Sequence, residues 1–270
     1  MSDTPLWELR NVDCLIGLRD VVDASVNLVI ADPPYNIGFK YHDYDDNREP
    51  DDYLAWCCNW LEEVFRVVSP AGTFWCAIGP KYVSELDVRA KNCGFHKRSH
   101  VIWHYTFGVN STKKLTPSHT HLLYYVKDPD NFVFNVDAIK VPSARERLYG
   151  DKRAKPGGRL PNDVWALQPQ EHTELYQETG DTWHIPRVAG TFKERVVGAT
   201  NQLPEQVVGR IISACSQPGD LILDPFVGSG TTLAVATKLD RRSVGFELSE
   251  TAATAAIRRL SYVAVGDQLS

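Results

Sequence analysis

Apolar positions along the chain alternate between short continuous runs and runs spaced three and four apart. Val26-Asn-Leu-Val-Ile-Ala31 is a β-branched run stopped by Asp32-Pro33-Pro34-Tyr35. That is the form of a buried parallel strand feeding a rigid loop. Leu54, Cys57, Cys58, Leu61, Val64, Phe65 and Val68 recur at helical spacing, which predicts an amphipathic helix over 51–68 closed by Pro70 and Gly72. A strand over 73–78, a helix over 81–93 and strands over 99–105 and 121–126 follow. From 127 to about 200 the periodicity fails, and Pro, Gly, Arg and Trp dominate. It resumes with a helix over 205–215, Pro204 standing at its first turn. A strand at 220–224, a glycine loop, a helix over 231–239, a strand at 243–247 and a helix over 249–262 complete the chain. This alternation on both sides of an irregular insert predicts an α/β fold with a doubly wound, mostly parallel sheet.

The 270 residues suit one large α/β domain or two small ones. Hydrophobic residues make up 43% and charged residues 23%, which excludes a mainly disordered or fibrous chain. No run of about 18 apolar residues is present, so no membrane-spanning helix is expected. Met1 to Glu8 lacks a basic end followed by an apolar run and is read as no secretory signal. The six cysteines include no Cys-x-x-Cys pair and lie mostly in apolar runs. They are read as reduced core residues of an intracellular, cytoplasmic protein, and no metal site is expected. Net charge is −5, yet residues 138–160 hold seven bases, Lys140, Arg145, Arg147, Lys152, Arg153, Lys155 and Arg159, against only Glu146 and Asp151. A local basic stripe on an acidic body is compatible with a nucleic-acid partner.

Two motifs carry chemistry. The first is a strand, then Asp224-Pro225-Phe226-Val-Gly228-Ser229-Gly230-Thr231-Thr232, then a helix, with Glu247 ending the next strand. Glycines let backbone approach a ligand, and an acid at the following strand end holds ribose hydroxyls. The spacing is neither Gly-x-Gly-x-x-Gly nor a Gly-Lys-Ser/Thr phosphate loop, and Asp224 would repel phosphate but suit an ammonium. A ligand with ammonium, ribose and adenine is S-adenosylmethionine. The second motif is Asp32-Pro33-Pro34-Tyr35 at a strand end. The Asp32 carboxylate and Pro33 carbonyl can accept from one NH₂ group while Tyr35 stacks on the ring that bears it.

Together these motifs resemble the β-class amino-group (N6-adenine or N4-cytosine) DNA methyltransferases of bacteria and phages. The order matches as well: catalytic motif, insert, cofactor loop. The resemblance runs from about Val12 to Leu260. It implies a circularly permuted, Rossmann-like methyltransferase sheet. Residues 1–127 would be the catalytic half, 128–200 the target-recognition insert and 201–270 the cofactor half. It adds Asp13 and Cys14 at the cofactor adenine. Gly190-Thr-Phe-Lys-Glu-Arg195 and Asn201-Gln202-Leu-Pro-Glu205 would lie near the cofactor's methionine end, and Asn36-Ile-Gly38 follows the catalytic tyrosine. One departure stands out: where the family often has His-Pro-x-Gln-Lys-Pro-Glu, this chain has Ala199-Thr-Asn-Gln-Leu-Pro-Glu205. Leu203 thus takes the place of a lysine.

The expected reaction moves a methyl group from S-adenosylmethionine to a base amine in duplex DNA, after the base leaves the stack. Asp32, Pro33, Pro34 and Tyr35 form the catalytic set, and the seven bases of the insert form the DNA reader. Adenine N6 is the first expectation, because Asp-Pro-Pro-Tyr is common in relatives acting on adenine. Cytosine N4 is the alternative, and cytosine C5 is disfavoured by the lack of a Pro-Cys nucleophile. An RNA or protein-glutamine methyltransferase usually has the reverse motif order, and a dead DNA-binding module would not need the intact cofactor residues. A homodimer, a cognate restriction endonuclease encoded elsewhere and a place at the nucleoid are implied by the resemblance alone. His119 and His121 are read as structural, and Trp165 and Trp183 as either core or contact residues.

Overall fold

A computed structural model describes residues 6–39, 44–105, 112–141, 143, 152–153, 157–166 and 202–270. Arg145, Arg147, Lys155, Trp183, the 190–195 segment and Asn201 lie outside the described residues. The elements run β1 (Trp7–Asn11), α1 (Cys14–Arg19), β2 (Val26–Ala31), α2 (Pro50–Val67), β3 (Val68–Ile78), α3 (Val83–Asn92), β4 (His96–His104) and β5 (His119–Val126). A short 3-10 turn (Val136–Ile139) and β6 (Val164–Ala166) follow. Then come α4 (Glu205–Cys215), β7 (Leu221–Asp224), α5 (Thr231–Lys238), β8 (Arg242–Glu247) and α6 (Glu250–Leu260).

The strands form one eight-stranded sheet in the order β1-β8-β7-β2-β3-β5-β4-β6. Neighbours from β1 to β3 pair parallel, β5 runs antiparallel to both β3 and β4, and β6 lies parallel to β4. Successive strands step outward in opposite directions from the junction of β2 and β7. A sheet of this kind opens a ligand crevice at that switch point, above the carboxyl ends of the strands.

Both faces are covered. Tyr53, Trp60, Leu61 and Val64 of α2 pack with Leu86 of α3 on Val29, Phe74, Leu123 and Phe246. Val207, Val208, Ile211 and Ile212 of α4 cover Leu28, Ile30, Trp75 and Ile222 from the other side. The helices start where capping groups are supplied: the Asp13 carboxylate accepts Leu15 N–H at 2.8 Å, and Pro50 stands in the first turn of α2.

Three features depart from the sequence expectation. α2 ends at Val67, just before Pro70 and Gly72 as expected, but no separate turn follows: β3 begins at Val68, and its pairing with β2 jumps from Val26↔Val68 to Leu28↔Thr73. The proline-glycine pair is thus absorbed in a bulge, where a missing ladder N–H is tolerated. Short β1 and α1 escape periodicity, because five or six residues carry too few repeats. The insert also contributes to the core: β6 extends the sheet, and Trp165 is buried against Trp75 with ring centroids 6.3 Å apart.

Candidate active site

Four neighbouring strands end in acids at one edge of the sheet. Across it stand Asp13 after β1, Glu247 at the end of β8, Asp224 at the end of β7 and Asp32 after β2. They line one cavity of about 260 Å³. Cys14, Pro33, Pro34, Tyr35, Gln202, Pro225, Phe226, Gly228, Ser229, Thr231 and Thr232 share its wall. Both motifs, some 190 residues apart in sequence, therefore open onto the same space. Gly230 does not line it. With φ of 79° it holds the turn into α5, where an added Cβ would stand 3.1 Å from Ala256 Cβ.

The second motif is tightly held. Tyr35 Oη donates to Asp32 Oδ1 at 2.8 Å, and Tyr53 Oη donates to the Pro34 carbonyl at 2.8 Å. The Tyr35 ring lies over Gly79, where a Cβ would fall 2.9 Å from its Cδ2. Asn36, buried and at φ 52°, donates through Nδ2 to the Arg48 carbonyl at 3.0 Å and to Tyr82 Oη at 3.1 Å. The buried Asp46 carboxylate accepts the N–H groups of Asn36, Ile37 and Phe39 at 2.8, 3.1 and 2.9 Å.

In the glycine loop, Asp224 Oδ1 accepts Phe226 N–H at 2.9 Å. Glu247 bridges two segments, accepting Gly228 N–H at 2.7 Å and Ser249 N–H at 2.8 Å. Burial drives the Asp32 carboxyl up to about 7; the Tyr35 hydrogen bond opposes this and the Asp224 charge adds to it. Burial likewise lifts Asp224 to about 6, against hydrogen bonds from Thr232 and Phe226 and with the Glu247 charge. Burial pushes the Cys14 thiol up to about 12, so it stays protonated. Two carboxylates near neutrality in one apolar cleft are poised to meet a cation and a proton.

Sequence reasoning missed Trp56 and Tyr44. Both line the cavity, and Trp56 packs on Phe226 with centroids 5.7 Å apart. The signal was the aromatic spacing Tyr53, Trp56, Trp60 along α2. His119 and His121 join a side-chain chain instead: His100 Nε2 lies 2.8 Å from His121 Nδ1, and His119 Nε2 lies 3.2 Å from His121 Nε2. Among the insert's bases, Lys140 pairs with Asp137 at 2.6 Å, Lys152 and Arg153 are exposed, and Arg159 bridges by its backbone to Val141. No cluster of three or more His, Cys, Asp or Glu suited to a metal occurs among the described residues. None of their helices is long and apolar enough to cross a membrane.

An acid-lined crevice at the switch point of an open α/β sheet has the form of a nucleotide-type ligand site, and both motifs open onto it. A profile for the N6/N4 DNA methylases matches residues 26–258, and the chain belongs to that family. It is an amino-group DNA methyltransferase, a class that takes its methyl from S-adenosylmethionine. Type II methyltransferase M.HpaI of Haemophilus parainfluenzae is 33% identical over 235 residues, covering 87% of this chain and 68% of that protein. DNA adenine methyltransferase YhdJ of Escherichia coli (strain K12) is 32% identical over 251 residues, covering 92% and 80%. The solved PvuII DNA methyltransferase, cytosine-N4-specific, shares the fold at a TM-score of 0.64 with 16% identity, covering 98% of this chain and 90% of that one.

Proposed function

We propose that this chain methylates the exocyclic N6 of adenine in duplex DNA. The observation that carries the reading is the single cavity shared by Asp32-Pro33-Pro34-Tyr35 and the Asp224–Glu247 loop. The residues present fit S-adenosylmethionine: the buried Asp224 carboxylate suits its ammonium, and the Glu247 carboxylate, ordered by two backbone N–H groups, suits ribose hydroxyls. Asp13 and Cys14 suit the adenine end, and Gln202 with Ser229, Thr231 and Thr232 supplies further polar wall. When bound, the cofactor supplies an electrophilic methyl sulfonium.

The protein's part is orientation and proton handling. Asp32 and the Pro33 carbonyl accept the two hydrogens of the target NH₂, which favours a pyramidal nitrogen with its lone pair free. Tyr35 stacks on the extruded base. The nitrogen gains a methyl group and sheds one proton, and an Asp32 carboxylate titrating near 7 is matched to receive it. Adenine is favoured over cytosine by the Asp-Pro-Pro-Tyr form and by the similarity to an enzyme named for adenine. In this reading residues 128–200 recognise the target, the enzyme works in the cytoplasm on duplex DNA, and a cognate endonuclease and self-association are further properties of the same proposal.

The test is nucleoside mass spectrometry of mixed-sequence duplex DNA incubated with isotope-labelled S-adenosylmethionine, with Asp32→Ala as control. Labelled N6-methyladenine supports the reading. Labelled N4-methylcytosine keeps the chemistry and moves the base. Full labelling by Asp32→Ala overturns the role of Asp32.

A further inference from the structure

The catalytic edge carries a second cluster outside the cavity. β3 leaves the sheet through Gly79-Pro80-Lys81, and β5 enters it from Lys113-Lys114-Leu115-Thr116-Pro117-Ser118. The two strands are antiparallel neighbours with Ile78 opposite His121. Both segments therefore project beyond the edge that holds Asp32 and Tyr35. The Ser118 carbonyl accepts Tyr105 N–H at 2.9 Å, which fixes the base of the second segment. Lys81 Nζ donates to the Asn36 carbonyl at 2.6 Å, one residue beyond Tyr35.

Lys81, Lys113 and Lys114 are exposed, and Leu115 is 95% exposed, the most of any large apolar side chain among the described residues. From His104 to His121 the sequence has two lysines and no acid, in a chain whose net charge is −5. Single exposed leucines are ordinary on protein surfaces. This one follows two lysines, in the segment that enters β5 at the sheet edge where the cavity opens. Extruding a base leaves a gap in the stack, and apolar wedges such as leucine fill such gaps.

We propose that Lys81, Lys113, Lys114 and Leu115 form a DNA-gripping lip. The lysines take phosphates flanking the target, and Leu115 occupies the space the extruded base vacates. The proposal rests on the reading that the target base leaves the duplex, and it lies outside the basic insert.

The experiment uses the full-length protein and a duplex that the wild type methylates. Leu115→Ala should lower kcat/KM about tenfold or more on the paired duplex. The deficit should shrink to within about twofold when the target base faces an abasic site, where little pairing is left to break. The Lys113→Ala/Lys114→Ala double variant should lower the slope of log affinity against log salt by roughly two. A Leu115→Ala rate equal to wild type on the paired duplex overturns the wedge, as does a deficit undiminished opposite the abasic site. An unchanged salt slope overturns the lysine contacts. The salt slope is a binding readout on any duplex, so it decides the lysine contacts even if the wild type methylates neither adenine nor cytosine, a result that would sink the function reading instead.

Discussion

The phenol of Tyr35 donates a 2.8 Å hydrogen bond to Asp32 Oδ1, so the ring proposed to stack on the base and the carboxylate proposed to hold its amine form one unit. That bond holds the Asp32 carboxyl below where burial would put it. Removing it while keeping the ring raises the Asp32 pKa above its value of about 7. In the proposed reaction the active form is the carboxylate, which is lost as pH falls through that pKa. Tyr35→Phe should therefore move the acid limb of kcat/KM to higher pH and keep most of the rate above it. Tyr35→Ala also loses the stacked ring, worth about 1–3 kcal/mol. An acid limb of Tyr35→Phe that coincides with wild type would separate the two residues.

Gly79 sets how close that ring comes to the sheet. A Cβ there would lie 2.9 Å from Tyr35 Cδ2, so Gly79→Ala must displace the ring. A catalytic group displaced by a fraction of an ångström to an ångström costs up to about a hundredfold in rate. The expected result is a lower kcat with cofactor affinity unchanged by calorimetry. A kcat equal to wild type would mean that the ring moves freely.

Much of this geometry was legible in the chain. Asp32-Pro-Pro-Tyr35 and Asp224 to Thr232 announce themselves because prolines and glycines end strands abruptly, and the helix over 205–215 emerged with its observed ends. What escaped was governed by tertiary contact. Nothing local says that Pro70 sits in a bulge, since only the pairing of β2 with β3 decides it. Trp56 reads as one more aromatic on α2 until the fold brings Phe226, 170 residues later, against it. Gly230 shares the motif with the cavity-lining Gly228 yet serves the turn into α5, a distinction made by Ala256 on a different helix.

Asp224 carries the charge expected to hold an ammonium. Its carboxyl titrates at about 6, so cofactor affinity should fall as pH drops below that value, where the group protonates and its attraction for the cation is lost. Asp224→Asn should remove a charge-assisted hydrogen bond worth about 1.5–3 kcal/mol and weaken cofactor binding roughly 10- to 150-fold. It also removes a charge that raises the Asp32 pKa, so the Asp32 titration in the free enzyme should move down. An unchanged Kd would take Asp224 out of the site.

Glu205 links the cavity to the rest of the fold. Its buried carboxylate meets Lys238 Nζ at 2.7 Å, Arg259 Nη2 at 2.8 Å and Ser270 N–H at 2.8 Å. Arg259 in turn donates to the Ser229 carbonyl at 3.2 Å and Thr231 Oγ1 at 3.0 Å, both in the cavity wall. Burial raises the Glu205 pKa, but the Lys238 hydrogen bond, the Ser270 N–H and the two cations outweigh it, and the net shift is downward. The stabilisation is thus present above the ordinary carboxylate range and lost as pH falls through the lowered value. Glu205→Gln leaves two cations without their partner and should cost about 3–5 kcal/mol at neutral pH. Urea unfolding should show that gap closing toward acid pH. A gap of equal size at both ends of the range would mean that charge is not its source.

The basic insert supplies the remaining prediction. Lys152 and Arg153 are exposed, and with Arg145 and Arg147 they fall in a stretch that runs against the acidic balance of the chain. Cations that neutralise phosphates release counterions, so each contact adds roughly 0.9 to the slope of log affinity against log salt. Replacing all four with glutamine should lower that slope by about three to four and weaken DNA binding most at low salt. Cofactor affinity should not change; of the two described residues, neither Lys152 nor Arg153 lines the Asp32–Asp224 cavity. A contact to a base edge would behave differently: its loss would weaken the cognate sequence more than a scrambled one. Single variants compared on both DNAs therefore sort the four residues. A uniform loss marks a phosphate contact, a selective loss marks a base reader, and an unaltered slope in the quadruple variant would move DNA recognition away from this stretch altogether.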